Sequence, residues 1–132
     1  MAEDRTPFEL IGGAAKVHAL IERFYEVMFA TEPALTQLHR TAPDGRVDAG
    51  TRERFALFVV GWLGGPQDYI EHHGHPRLRM RHAHVKVDRT MRDAWLRCMQ
   101  QAMNETQITG PVRNYLDGRF DEVADFMVNS DG

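Results

Sequence analysis

The chain has 132 residues, 42% apolar and 27% charged; one core serves such a length, and disordered chains are far more polar, so a single globular domain over residues 1–132 is expected. Sixteen Lys and Arg against nineteen Asp and Glu give a formal charge of −3, and without a basic stripe the electrostatic footprint of a nucleic-acid binder is missing. The longest uncharged apolar stretch, Phe55 to Leu63, falls well short of the ~20 residues that cross a bilayer, and the acidic start leads into no secretory-type apolar segment, so a cytoplasmic protein is expected.

Val17, Leu20, Ile21, Phe24, Tyr25 and Met28 recur at steps of three and four, which predicts a helix from about Ala14 to Ala30 after Gly12-Gly13. Pro33 disfavours helical geometry in the residue before it, and a second short helix is expected from Ala34 to Arg40. Ala42-Pro43-Asp44-Gly45 reads as a turn. A third helix, roughly Asp48 to Leu63, should turn Phe55, Phe58, Val59 and Trp62 inward and Arg52, Glu53 and Arg54 towards solvent, ending at Gly64-Gly65-Pro66. From Gln67 to Val87 the pattern is irregular, with a short helix around Tyr69 and Ile70 broken at Gly74-His75-Pro76. The helical period returns from Arg89 to about Gln107, with Met91, Trp95, Cys98, Met99 and Ala102 on one face. Thr109-Gly110-Pro111 offers a polar cap and a first-turn proline to a last helix lined by Val112, Tyr115, Leu116, Val123, Phe126 and Met127. Only His84 to Asp88 alternates like a strand, and one such run makes no sheet. The fold class is all-α.

Five of the seven histidines, His72, His73, His75, His82 and His84, fall within thirteen positions. A zinc site would need three or four converging ligands. The spacing argues against one, since helical positions two apart diverge and neither an H-E-x-x-H pair nor a C-x-x-C knuckle is present. The single cysteine, Cys98, completes no Cys-rich site and reads as a small buried apolar residue. A haem makes a lighter demand, because the porphyrin already gives iron four nitrogens and the protein need add one imidazole. His82 lies close behind Leu78 and Met80, with Arg79 and Arg81 as neighbours, which suits an inward ring with outward guanidinium groups.

Longer strings carry a resemblance. Gly74-His75-Pro76-Arg77-Leu78-Arg79-Met80-Arg81-His82-Ala83, followed after nine residues by Asp93-Ala94-Trp95-Leu96-Arg97-Cys98-Met99, resembles the group II truncated haemoglobins. Phe8-Glu9-Leu10-Ile11-Gly12-Gly13 is similar to that family's shortened opening segment, Arg23-Phe24-Tyr25 to its distal tyrosine helix, and Leu63-Gly64-Gly65-Pro66 to the break after its distal helix. The resemblance implies a two-over-two helical sandwich around haem b, with His82 as the proximal iron ligand and its second ring nitrogen held by a backbone carbonyl. It places the distal tyrosine on Tyr25, the pocket tryptophan on Trp95 and an aromatic or histidine position on His39. Thr51, Phe55 and Phe58 then face the ligand from one side of the distal helix. Tyr69, Arg79 and Arg81 are candidates for the haem propionates, and Phe58 and Trp95 for contact with the haem. Where many relatives read Ala-Pro-Phe after the proximal histidine, this chain reads Ala83-His84-Val85, so His84 stands as a rival ligand.

The implied ligands are dioxygen, carbon monoxide and nitric oxide. Donors from Tyr25, Trp95 and His39 would slow the escape of a polarised ligand, which suits sensing, scavenging or redox chemistry, such as nitric oxide dioxygenation or peroxidase-like turnover, better than bulk transport. Nothing resembles a flavin or nicotinamide module, so turnover would need an external reductase, and the chain could act as monomer or homodimer. A competing class, a helical interaction module without cofactor, predicts a colourless protein.

Overall fold

Glycine and proline set the boundaries of the first helices. The computed structural model describes residues 5–75 and 86–130. In α1 (Pro7–Ile11) the Thr6 hydroxyl accepts the Glu9 amide at 3.2 Å, and Gly12 closes the helix in the left-handed region at φ 117°, a conformation that costs glycine little. The Phe8 amide donates to the Leu63 carbonyl at 2.9 Å. A side chain at Gly65 would bring its Cβ within 2.6 Å of the Phe8 ring, so only glycine admits this close approach.

Helix α2 (Ala14–Thr31) buries the whole predicted stripe and Val27 besides. It forms one layer with α4 (Ala49–Trp62) and crosses α6 (Arg89–Glu105), which forms the other layer with α7 (Gly110–Met127). The result is a two-over-two helical sandwich. The short helices α3 (Pro33–Thr36) and α5 (Asp68–His73) complete it on either side of α4. No helix of the described residues is long and apolar enough to cross a membrane.

Three expectations need correction. The helix expected over Ala34 to Arg40 stops at Thr36, because Leu38 and His39 donate three residues back, to Leu35 at 3.1 Å and Thr36 at 3.1 Å, and this tighter pattern does not propagate. The last helix buries Leu116, Phe120 and Ala124, whereas Tyr115 (43%) and Phe126 (55%) are exposed. Steps of four define the contact stripe, and Tyr115 and Phe126 fall beside it. Thr109 makes no side-chain cap; one of the two amides a cap would serve belongs to Pro111, which has no N–H. Caps do form at Asp48, which accepts from the Thr51 amide at 3.2 Å, and at Asp88, which accepts from Met91 at 2.9 Å.

Helix α4 is apolar on two sides. Ala56, Val59 and Val60 enter the core with Leu63, while Phe55, Phe58 and Trp62 are half-buried on a different face. That second face opens the site.

Candidate functional site

A cavity of about 270 Å³ lies between α4 on one side and α6 and α7 on the other, with α2 at its inner end. Seven residues singled out in the sequence line it: Tyr25, His39, Thr51, Phe55, Phe58, Tyr69 and Trp95. His82, Arg79 and Arg81, with the rival His84, lie outside the described residues. His72, His73 and His75 are exposed.

Tyr25 reaches the cavity because it shares the buried stripe of α2, one position beyond Phe24. Its ring packs edge-on against Phe24 at 5.0 Å, His39 at 5.9 Å and Phe55 at 6.1 Å. The residue is only 6% exposed, yet among the described residues its hydroxyl has no hydrogen-bond partner. No fully buried polar atom of a described side chain lacks a partner, so the phenol oxygen must keep an opening, and the opening available to it is the cavity. Burial pushes the phenol's pKa well up, with the Glu22 carboxylate adding to the effect and the Arg52 and Arg54 cations opposing it. The group therefore stays a neutral O–H donor at any ordinary pH.

His39 is held by its Nδ1, 2.9 Å from the Leu35 carbonyl. A carbonyl only accepts, so Nδ1 carries the hydrogen of this bond. The donor role expected of His39 thus requires the protonated ring. Thr51 accepts from the Arg54 guanidinium at 3.3 Å. Phe55 and Phe58 stack nearly parallel, 6.2 Å apart and inclined by 13°, and Tyr69 meets Phe58 edge-on at 5.8 Å. Trp95 packs against Phe24 at 5.2 Å and Phe55 at 6.3 Å, and its indole N–H has no partner among the described residues. On α6 and α7 the wall is made by Met91, Val123, Ala124 and Met127.

Arg54 is exposed, as expected, but sequence reasoning missed that it also lines the cavity, together with Leu38, Met91 and Arg92. Arg54 follows Thr51 by three positions, so the helical period that grouped Thr51, Phe55 and Phe58 already contained it. Arg92 is held by its neighbour Asp93 at 2.8 Å and, across to α7, by Asp125 at 2.7 Å; the second pairing, between helices, is one that no local pattern announces.

These residues fit a haem. Flat rings and aliphatic side chains suit a porphyrin plane, a buried phenol without a partner supplies a polar distal side, and an arginine stands at the wall where a carboxylate could meet it. Crossed helix pairs around such a slot are those of a globin reduced to its haem-holding helices. Residues 6–129 match the bacterial-like globin family. The chain is 36% identical over 123 residues, 93% of its length and 88% of the relative's, to the group 2 truncated haemoglobin YjbI of Bacillus subtilis (strain 168). Among solved structures it is similar to the group II truncated haemoglobin of Bacillus anthracis, with a TM-score of 0.87, 35% identity and coverage of 97% of this chain and 94% of that one. It is also similar to the truncated oxygen-avid haemoglobin of Bacillus subtilis, with a TM-score of 0.83, 36% identity and coverage of 95% and 100%. The chain belongs to the bacterial-like globins and, within them, to the group II truncated haemoglobins. Membership implies a haem cofactor and ligand binding at it.

Proposed function

We propose that the protein binds dioxygen, and with it carbon monoxide and nitric oxide, reversibly at a haem b ligated by His82, in oxygen, nitric oxide or redox chemistry or in sensing rather than in bulk transport. The haem supplies an iron with one coordination position left for a diatomic ligand. The chain supplies the rest. Tyr25 donates its O–H to the ligand, Trp95 adds its indole N–H, and His39, edge-on to the Tyr25 ring at 5.9 Å, holds that ring in place. Phe55 and Phe58 keep bulk water from the ligand. Arg54 and Tyr69, with Arg79 and Arg81, are assigned to the propionates.

The observation that carries this reading is the buried Tyr25 phenol with no partner among the described residues. Its oxygen keeps an opening onto the cavity, so a ligand seated there can accept from it, and a hydrogen bond to a strongly polarised acceptor contributes about 1.5–3 kcal/mol. The truncated haemoglobin of Bacillus subtilis described as oxygen-avid supports slow dioxygen release here as well. Reconstitution with haemin should give an intense Soret band that shifts when carbon monoxide is added to the reduced protein; a colourless protein would sink the reading. His82→Ala should lose the imidazole-ligated spectrum, and an unaltered spectrum would move the assignment to His84.

A further inference from the structure

The chain's two tryptophans belong to one aromatic cluster. Trp95 is in the cavity wall, whereas Trp62 lies one ring outside it. Two paths join Trp62 to the cavity. Phe58, a lining residue, stacks on Trp62 at 6.1 Å with 17° between the planes, and buried Phe120 bridges Trp62 at 5.4 Å to Trp95 at 5.7 Å. Trp62 keeps part of its surface at the protein exterior. Its ring face is covered by the Arg119 guanidinium, 4.8 Å from the ring centroid, and Arg119 is itself paired with Glu122 at 2.8 Å.

An indole gives up an electron far more readily than a phenyl ring, so a vacancy formed in this cluster settles on a tryptophan or tyrosine, not on Phe58 or Phe120. Trp95 is half-buried in the cavity wall, where only a molecule that enters the cavity meets it, and Tyr69 is 7% exposed and also lines the cavity; neither can meet a molecule too bulky for the cavity. Trp62 can. The nearby cation disfavours positive charge on the indole, and the Glu122 carboxylate offsets it only in part.

We propose that Trp62 is an electron-port through which external phenols or hydroquinones too large for the cavity reduce the haem site when a hydroperoxide oxidises it. The balance is simple. One hydrogen peroxide takes two electrons and two protons as its O–O bond breaks to give two waters; two phenols each lose one electron and one proton and leave as phenoxyl radicals. Trp62 passes each electron inward and regains one from the phenol. This rests on the haem reading above.

The experiment uses the full chain with haem bound, hydrogen peroxide and a polymer-linked phenol. Wild type should oxidise the phenol, and Trp62→Phe should lose that oxidation while keeping the wild-type carbon monoxide spectrum. Arg119→Gln should speed it. Without phenol, peptide mass mapping should find oxygen added at Trp62 in the haem-loaded protein and not in the haem-free one. A Trp62→Phe variant as fast as wild type, no phenol oxidation by wild type, equal marking without haem, or marking at Tyr69 or Trp95 with none at Trp62 would each overturn the port. Failure to form the carbon monoxide band would instead defeat the haem reading itself.

Discussion

The α2–α6 crossing and the slot beside α4 use the same apolar alphabet, yet one closes and the other stays open. At the crossing, α6 turns Ala94, Cys98 and Ala102 towards the core at steps of four, each 2% exposed or less, and α2 answers with Val17, Leu20, Ile21 and Phe24 at 0%. Small residues on one helix let the large ones of its partner interdigitate, which is the condition for dense packing. At the slot the helices meet through rings. Phe55, Phe58 and Trp95 remain half-buried, because stiff planar groups propped against one another leave a gap they cannot fill. The difference teaches that residue size, not hydrophobicity, separates scaffold from site in this chain.

The sharpest way to break the comparison is Phe24→Ala at the closed crossing. Removing a fully buried ring should cost about 3–5 kcal/mol, read as a lower denaturation midpoint, whereas Phe58→Ala at the open slot should cost less stability and loosen haem retention more. Equal losses at the two positions would erase the distinction. Tyr25→Phe comes next. A hydrogen bond to a charged or strongly polarised acceptor contributes about 1.5–3 kcal/mol, so dioxygen should dissociate roughly ten- to a hundredfold faster in stopped flow, with the midpoint little changed because the lost hydroxyl has no protein partner. The smallest effect is in alkaline titration. Burial raises the Tyr25 pKa in the folded state, so above the ordinary tyrosine pKa of about 10 the unfolded chain releases a proton that the folded chain keeps, and stability falls as pH rises. Tyr25→Phe should flatten that fall above pH ~10; an unchanged slope would assign it to other groups.

Much of the scaffold was legible because helices write their burial at a fixed period. The stripe of α2 and most of that of α6 stand in the sequence as they stand in the structure. The end of α3 was not legible, since a change from four-residue to three-residue bonding leaves no mark in hydropathy. Phe120 and Ala124 were missed because the more conspicuous Tyr115 and Phe126 drew the stripe off its true face. The site is another matter. Tyr25, Thr51 and Trp95 come from three helices, and periodicity can say only that each lies on an apolar or mixed face. Their convergence on one cavity was readable through family resemblance, not through local pattern. Arg54 escaped because an arginine that follows Arg52 and Glu53 looks like plain surface.

The bare backbone of Gly65 beneath the Phe8 ring has a wider consequence. A substituent there must evict the ring, and with it the tether from the Phe8 amide to the end of α4. The first helix works as a clasp on the last turn of the helix whose opposite flank carries Phe58, so an alanine at a position remote from any ligand would unfasten the chain's beginning and let the distal wall swing.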